Sequence, residues 1–141
     1  MLDFLCQTTD CNPHIVLAQI LLLAFNAVLF TQSGIDKVTD WSGNVGWLKG
    51  HFEDTIFGGF VPQLVGTITL FELVAGIASA AGAAFIFING STEVATAATA
   101  LSAVTLLQLF AGQRIAKDYP GAAVLVPYMI LTVVLLVLLS F

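Results

Sequence analysis

Glu72 lies inside a long apolar stretch, Leu64 to Ile88, and no Lys or Arg in that stretch is there to pair with it. A carboxylate at membrane depth costs about 2.5–3.5 kcal/mol on insertion scales, so it faces a bundle interior or a water-filled cavity. The uncharged acid is the cheaper form in hydrocarbon. Such a group supports a proton-linked or polar-ligand site, a small proton-coupled carrier, or a hydrogen bond that glues helices together. Helical spacing puts Thr69, Gly76, Ser79 and Ala83 on the face of Glu72, a small and weakly polar face expected to point inward. Gln19, Asn26 and Ser33 recur at seven-residue steps on the preceding apolar segment. Counted from the shared ends of the two segments, Asn26 and Glu72 reach similar depths, which predicts a contact between them. Gln108 and Tyr128 are positioned to extend this intramembrane polar core.

Other chemistries are weakly marked. Cys6 and Cys11 could form a disulfide, remain free thiols, or join His14 in an incomplete metal set; the spacing is not a strong zinc pattern. No metal site is expected. His51 has no histidine partner at membrane depth, which argues against haem. No Ser-His-Asp order, phosphate loop or carboxylate pair points to hydrolysis. A catalytic residue therefore cannot be named. Four Lys/Arg and a net charge of −5 exclude a phosphate-tracking surface for nucleic acid.

The elements that must position these residues are membrane spans. The 141 residues are 58% hydrophobic and 9% charged, against about 25% charged in soluble domains. About 20 apolar residues cross the hydrocarbon, and four segments qualify: about Pro13 to Ser33, Pro62 to Ile88, Thr92 to Gly112 and Gly121 to Phe141. The expected fold is all-α, a single integral membrane four-helix bundle over 1–141. Asn12 and Pro13 read as cap and first turn of the first span, and Ser91 as the cap of the third. The N-terminus lacks the positive region of a cleavable signal, so the first span is expected to be retained.

All four basic residues fall between spans one and two (Lys37, Lys49) or three and four (Arg114, Lys117). By the positive-inside rule those loops are cytoplasmic and both termini face outward. In the first loop Trp41, Val45, Leu48 and Phe52 share one helical face, which predicts a short interfacial helix. The runs of Ala, Gly, Ser and Thr in spans two and three predict close backbone approach between them. The Leu- and Val-rich fourth span is expected to face lipid or a partner chain.

Three stretches carry a resemblance. They are Phe30-Thr31-Gln32-Ser33-Gly34-Ile35-Asp36-Lys37-Val38 with its continuation to Phe52, Phe71-Glu72-Leu73-Val74-Ala75-Gly76, and Gly112-Gln113-Arg114-Ile115-Ala116-Lys117-Asp118-Tyr119-Pro120-Gly121-Ala122. Together they resemble the DoxX family of small four-helix membrane proteins, similar to the small subunit of thiosulfate:quinone oxidoreductase. The resemblance implies a bacterial inner membrane and a redox or quinone-linked setting. It favours an accessory subunit that anchors a respiratory or redox complex without catalysis of its own, with other membrane subunits or further copies as partners. The alternative it allows is a quinone-binding redox subunit. Gln32, Asp36, Lys37, Arg114, Lys117, Asp118 and Tyr119 would then hold the headgroup, given an apolar slot beside them. The same residues could instead form an ion-pair network, with Asp36–Arg114 and Lys37–Asp118 as pairs.

The charge bias makes a checkable claim. A membrane-impermeant amine reagent applied to sealed inner-membrane vesicles should label Lys37 or Lys49 and Lys117 from the same face. Labelling of the two loops from opposite faces would contradict the assigned topology.

Overall fold

Asn12 and Pro13 start the first long helix as their types require. The Asn12 side chain accepts the His14 N–H at 3.0 Å, and Pro13 occupies the first turn, where no N–H is needed. The structure, a computed structural model, describes residues 2–141. A short 3-10 turn, Asp3–Leu5, precedes α1 (Pro13–Thr39). Then follow α2 (Trp41–Phe52), α3 (Val61–Asn89), α4 (Glu93–Ile115) and α5 (Tyr119–Leu138). The four long helices are apolar and long enough to cross a membrane. Even α5, with 20 residues, spans about 30 Å at ~1.5 Å per residue. The short helix expected in the first loop is α2.

Several boundaries differ from the sequence expectation. The first helix continues six residues past Ser33, to Thr39. Gly34 is buried and lets the Leu73 side chain lie against α1; a Cβ on it would fall 2.7 Å from Leu73 Cγ. Ser91 does not cap the third span. Its N–H bonds to Asn89 Oδ1, Gly90 turns the chain with φ +73°, and Thr92 is the N-cap without a side-chain bond. The last helix starts two residues earlier than expected because Asp118 Oδ1 accepts the Gly121 N–H at 2.9 Å.

Small residues set the spacing between helices. A Cβ on Gly76 would meet the Thr31 backbone nitrogen at 2.7 Å, so α1 and α3 touch backbone to backbone. On the other side of α3, a Cβ on Gly82 would meet Ala95 Cα at 2.7 Å. The expected close approach of the second and third spans is therefore present, and α3 is in contact with both neighbours. Leu23, Ile86, Ala95, Leu135 and Leu139 fill one half of the core, while Phe30, Ala75 and Leu106 fill the other. A third cluster, Val45, Val61 and Val65, fixes α2 against the start of α3. Buried Thr99 and Ser102 satisfy their hydroxyls on carbonyls one turn back in α4. The outer face of α5, including Val124, Ile130 and Val137, is exposed apolar surface suited to lipid.

At the end of the bundle opposite α2, Cys6 and Cys11 form a disulfide, which resolves the open choice in favour of a closed loop. Gln7 within that loop packs against Gly90 in the α3–α4 turn.

Backbone contact at Gly82 leaves no room for a methyl. Gly82→Ala should cost about 1–3 kcal/mol of stability, read as a lowered unfolding temperature in detergent. Gly66→Ala, where the nearest atom is Trp41 Cη2 at 3.6 Å, should stay within about 0.5 kcal/mol. Equal effects of the two changes would contradict the packing described.

Candidate functional site

The two close contacts between α1 and α3, Thr31 with Gly76 and Gly34 with Leu73, fix their antiparallel register. On that register Glu72 lies one turn from Ser33 and beside the continuation of α1. A lysine in a helix points back toward the N-terminus, over the residue four positions earlier. Lys37 therefore lies over Ser33 and reaches Glu72. Lys37 Nζ donates to Ser33 Oγ at 2.8 Å and to Glu72 Oε1 at 3.1 Å, while Ser33 Oγ donates to Glu72 Oε1 at 2.8 Å. Glu72 Oε2 sits 2.9 Å from Nζ as an ion-pair contact, off the hydrogen-bond line. The Glu72 side chain is 1% exposed and the Lys37 side chain 17%. Glu72 is thus a paired charge rather than a lone acid.

The expected Asn26–Glu72 contact does not form. In this register Asn26 lies opposite Ala81, about 13 Å further along the axis at ~1.5 Å per residue. Its Nδ2 is buried and has no hydrogen-bond partner. The depth count failed because the two helix ends are not level: on this register Thr39 lies opposite Ile68, seven residues inside α3. Gln19 is buried and donates to the Leu138 carbonyl at 2.8 Å, joining α1 to α5.

Beside Lys37 the bundle opens into a partly open cavity of about 490 Å³. This lies within the range of small-molecule pockets. Its walls come from α2 (Trp47, Leu48, Phe52), the start of α3 (Val61, Leu64, Ile68) and the end of α4 (Leu109, Gly112). Polar groups on it are few: Lys37, Asn44, Thr67, Gln108 and Gln113. Among the described residues, Lys37 is the charged side chain lining it. Gln108 faces it with Oε1 buried and unpartnered.

The remaining members of the sequence-derived cluster are scattered around the same end. Gln32, Asp36, Arg114, Lys117 and Tyr119 are exposed, and none lines the cavity. Neither expected ion pair forms among the described residues. Lys37 is taken by Glu72. Arg114 lies over the Tyr119 ring, 4.6 Å from its centroid. Asp118 caps α5 and meets His51 instead, with Nε2 3.5 Å from Oδ2.

His51 was missed as a contributor. It stacks on Trp47 at 4.6 Å and shares Nε2 with Gln113 Oε1 at 3.2 Å. Lys117, with φ +59°, turns the chain so that the Asp118 N–H returns to the Gln113 carbonyl. That turn sets Gln113 and Asp118 side by side for His51, which ties α2 to the α4–α5 turn. The helical stripe in the first loop was legible; this tether depends on a turn that sequence spacing does not specify.

Chemically the arrangement is an apolar chamber with amide groups and one charge-compensated ammonium on its wall. Comparison of the chain with family models, curated proteins and solved structures finds no match.

The ion pair makes a double-mutant prediction. Lys37→Met or Glu72→Gln alone should destabilise the bundle by about 3 kcal/mol, since each leaves a buried partner uncompensated. The combined variant should regain most of that loss. Unfolding in a detergent series would show it, and strictly additive losses would contradict direct pairing.

Proposed function

We propose that the chain is a DoxX-like integral membrane subunit of a redox assembly, and that its own contribution is to hold a quinone-type headgroup in the cavity beside Lys37. The observation that carries this is the cavity itself. An apolar slot beside the cytoplasmic cluster is what the quinone alternative required; the slot walled by α2, α3 and α4 has Lys37, of that cluster, on its wall. Its size suits a substituted ring with the start of an apolar tail. Aromatic side chains Trp47 and Phe52 offer flat faces to a ring. The Gln108 amide is a donor for a ring carbonyl on a wall that is otherwise mostly apolar, and the Lys37 ammonium, held by Ser33 and Glu72, lies beside it.

In this proposal the headgroup site comprises Lys37, Gln108, Trp47 and Phe52, and the electrons come from a partner enzyme. The exposed cluster of Asp36, Arg114 and Lys117 then faces water or that partner, and the apolar face of α5 meets lipid or another subunit. The setting is a bacterial inner membrane with α2 on the cytoplasmic side, in keeping with the placement of basic residues.

Trp47 makes the proposal measurable. Titrating the detergent-purified protein with a short-chain alkyl benzoquinone should quench tryptophan fluorescence saturably. Gly112→Leu, which places a side chain into the cavity toward Phe52, should weaken binding about tenfold or more. Linear, unsaturable quenching, or full affinity in Gly112→Leu, would rule the site out.

A further inference from the structure

We infer that Glu72 determines which headgroups the cavity accepts: by cancelling the Lys37 charge it selects uncharged polar heads and refuses carboxylates and phosphates. This rests on the proposed ligand cavity and names the chemistry that the cavity discriminates.

Lys37 is the charge on the cavity wall among the described residues, and on its own would attract anions. Its charge is met from behind. Glu72 approaches Nζ with both oxygens, at 3.1 and 2.9 Å. Ser33 Oγ accepts from Nζ and passes a bond on to Glu72 Oε1, each at 2.8 Å. The donors of the ammonium are engaged, and the carboxylate behind it is buried. An anionic head entering the cavity would find no free positive charge and would lie near a second, desolvated negative one. A carbonyl or hydroxyl oxygen meets no such repulsion. Specificity of this kind comes from the unfavourable pairing as much as from the favourable one.

The pairing also says how selectivity would change. With Glu72 made neutral, Lys37 remains at the wall as an uncompensated ammonium in a mostly apolar chamber. The best available partner is then the anion that the native cavity refuses.

The test compares two amphiphiles with tails of similar length, decyl-benzoquinone and decanoate, by quenching of tryptophan fluorescence and its displacement in neutral detergent. The native protein should prefer the quinone by about tenfold or more. Glu72→Gln should tighten decanoate by about tenfold or more and reverse the order. The double variant Lys37→Gln/Glu72→Gln, with no charge at the wall, should keep the native order. Native protein that binds decanoate as tightly as the quinone overturns the inference while leaving the quinone site standing. A folded Glu72→Gln variant that keeps the native order does the same. If Glu72→Gln does not fold, the native ranking and the double variant decide. A native protein that binds neither probe overturns the proposed function and this inference with it.

Discussion

A positive and a negative side chain, both drawn largely out of water, meet between α1 and α3. Lys37 with Glu72 is the constraint on which the α2-bearing end of the bundle depends. Neither charge is tolerable alone at that depth, since a buried charge without its partner is strongly destabilising. Each therefore requires the other helix at a fixed rotation and height. The glycines make that approach possible: Gly76 admits the Thr31 backbone and Gly34 admits Leu73. Remove those contacts and the ammonium no longer reaches the carboxylate. Ser33 completes the unit by bonding to both partners.

The rest of this end is arranged around that pair. Because α1 remains helical through Lys37, α2 begins only at Trp41 and lies across the ends of α3 and α4. The space beneath it is the cavity. Val45, packed with Val61 and Val65, fastens one side of α2, and His51 with Gln113 and Asp118 fastens the other. A chamber that is apolar on most walls thus has its charge cancelled from behind and its cover attached at two edges. This is why the proposed binding site is put at the end bearing α2 rather than at the disulfide-closed end.

Much of this architecture was legible in residue order. Composition and span length gave four membrane helices, the runs of Ala and Gly gave the close contact of α3 with α4, and the Trp41-to-Phe52 stripe gave α2. Glu72 stood out as a buried charge. Its partner did not, because the base was sought within the same apolar stretch, while Lys37 was counted as a loop residue that sets topology. Helix ends are poorly marked where no proline or capping residue intervenes. The misjudged end left Lys37 to be paired with Asp118, and Asn26 was misplaced because α3 begins seven residues beyond the level of the α1 end. The cavity had no signature at all, since its walls come from three helices whose relative rotation no single segment encodes. The expectation of quinone came from the resemblance to DoxX proteins alone; the structure shows a cavity, and its occupant is a proposal.

The direct measurement is the distance between the two charges in a bilayer. Protein labelled with ¹⁵N at Lys37 Nζ and ¹³C at the Glu72 carboxyl, reconstituted in lipid, should give strong heteronuclear dipolar dephasing in solid-state NMR. That is the signature of the 2.9 and 3.1 Å contacts between Nζ and the carboxylate oxygens. Absence of dephasing in a folded sample would place the two groups apart and contradict the organisation of the site.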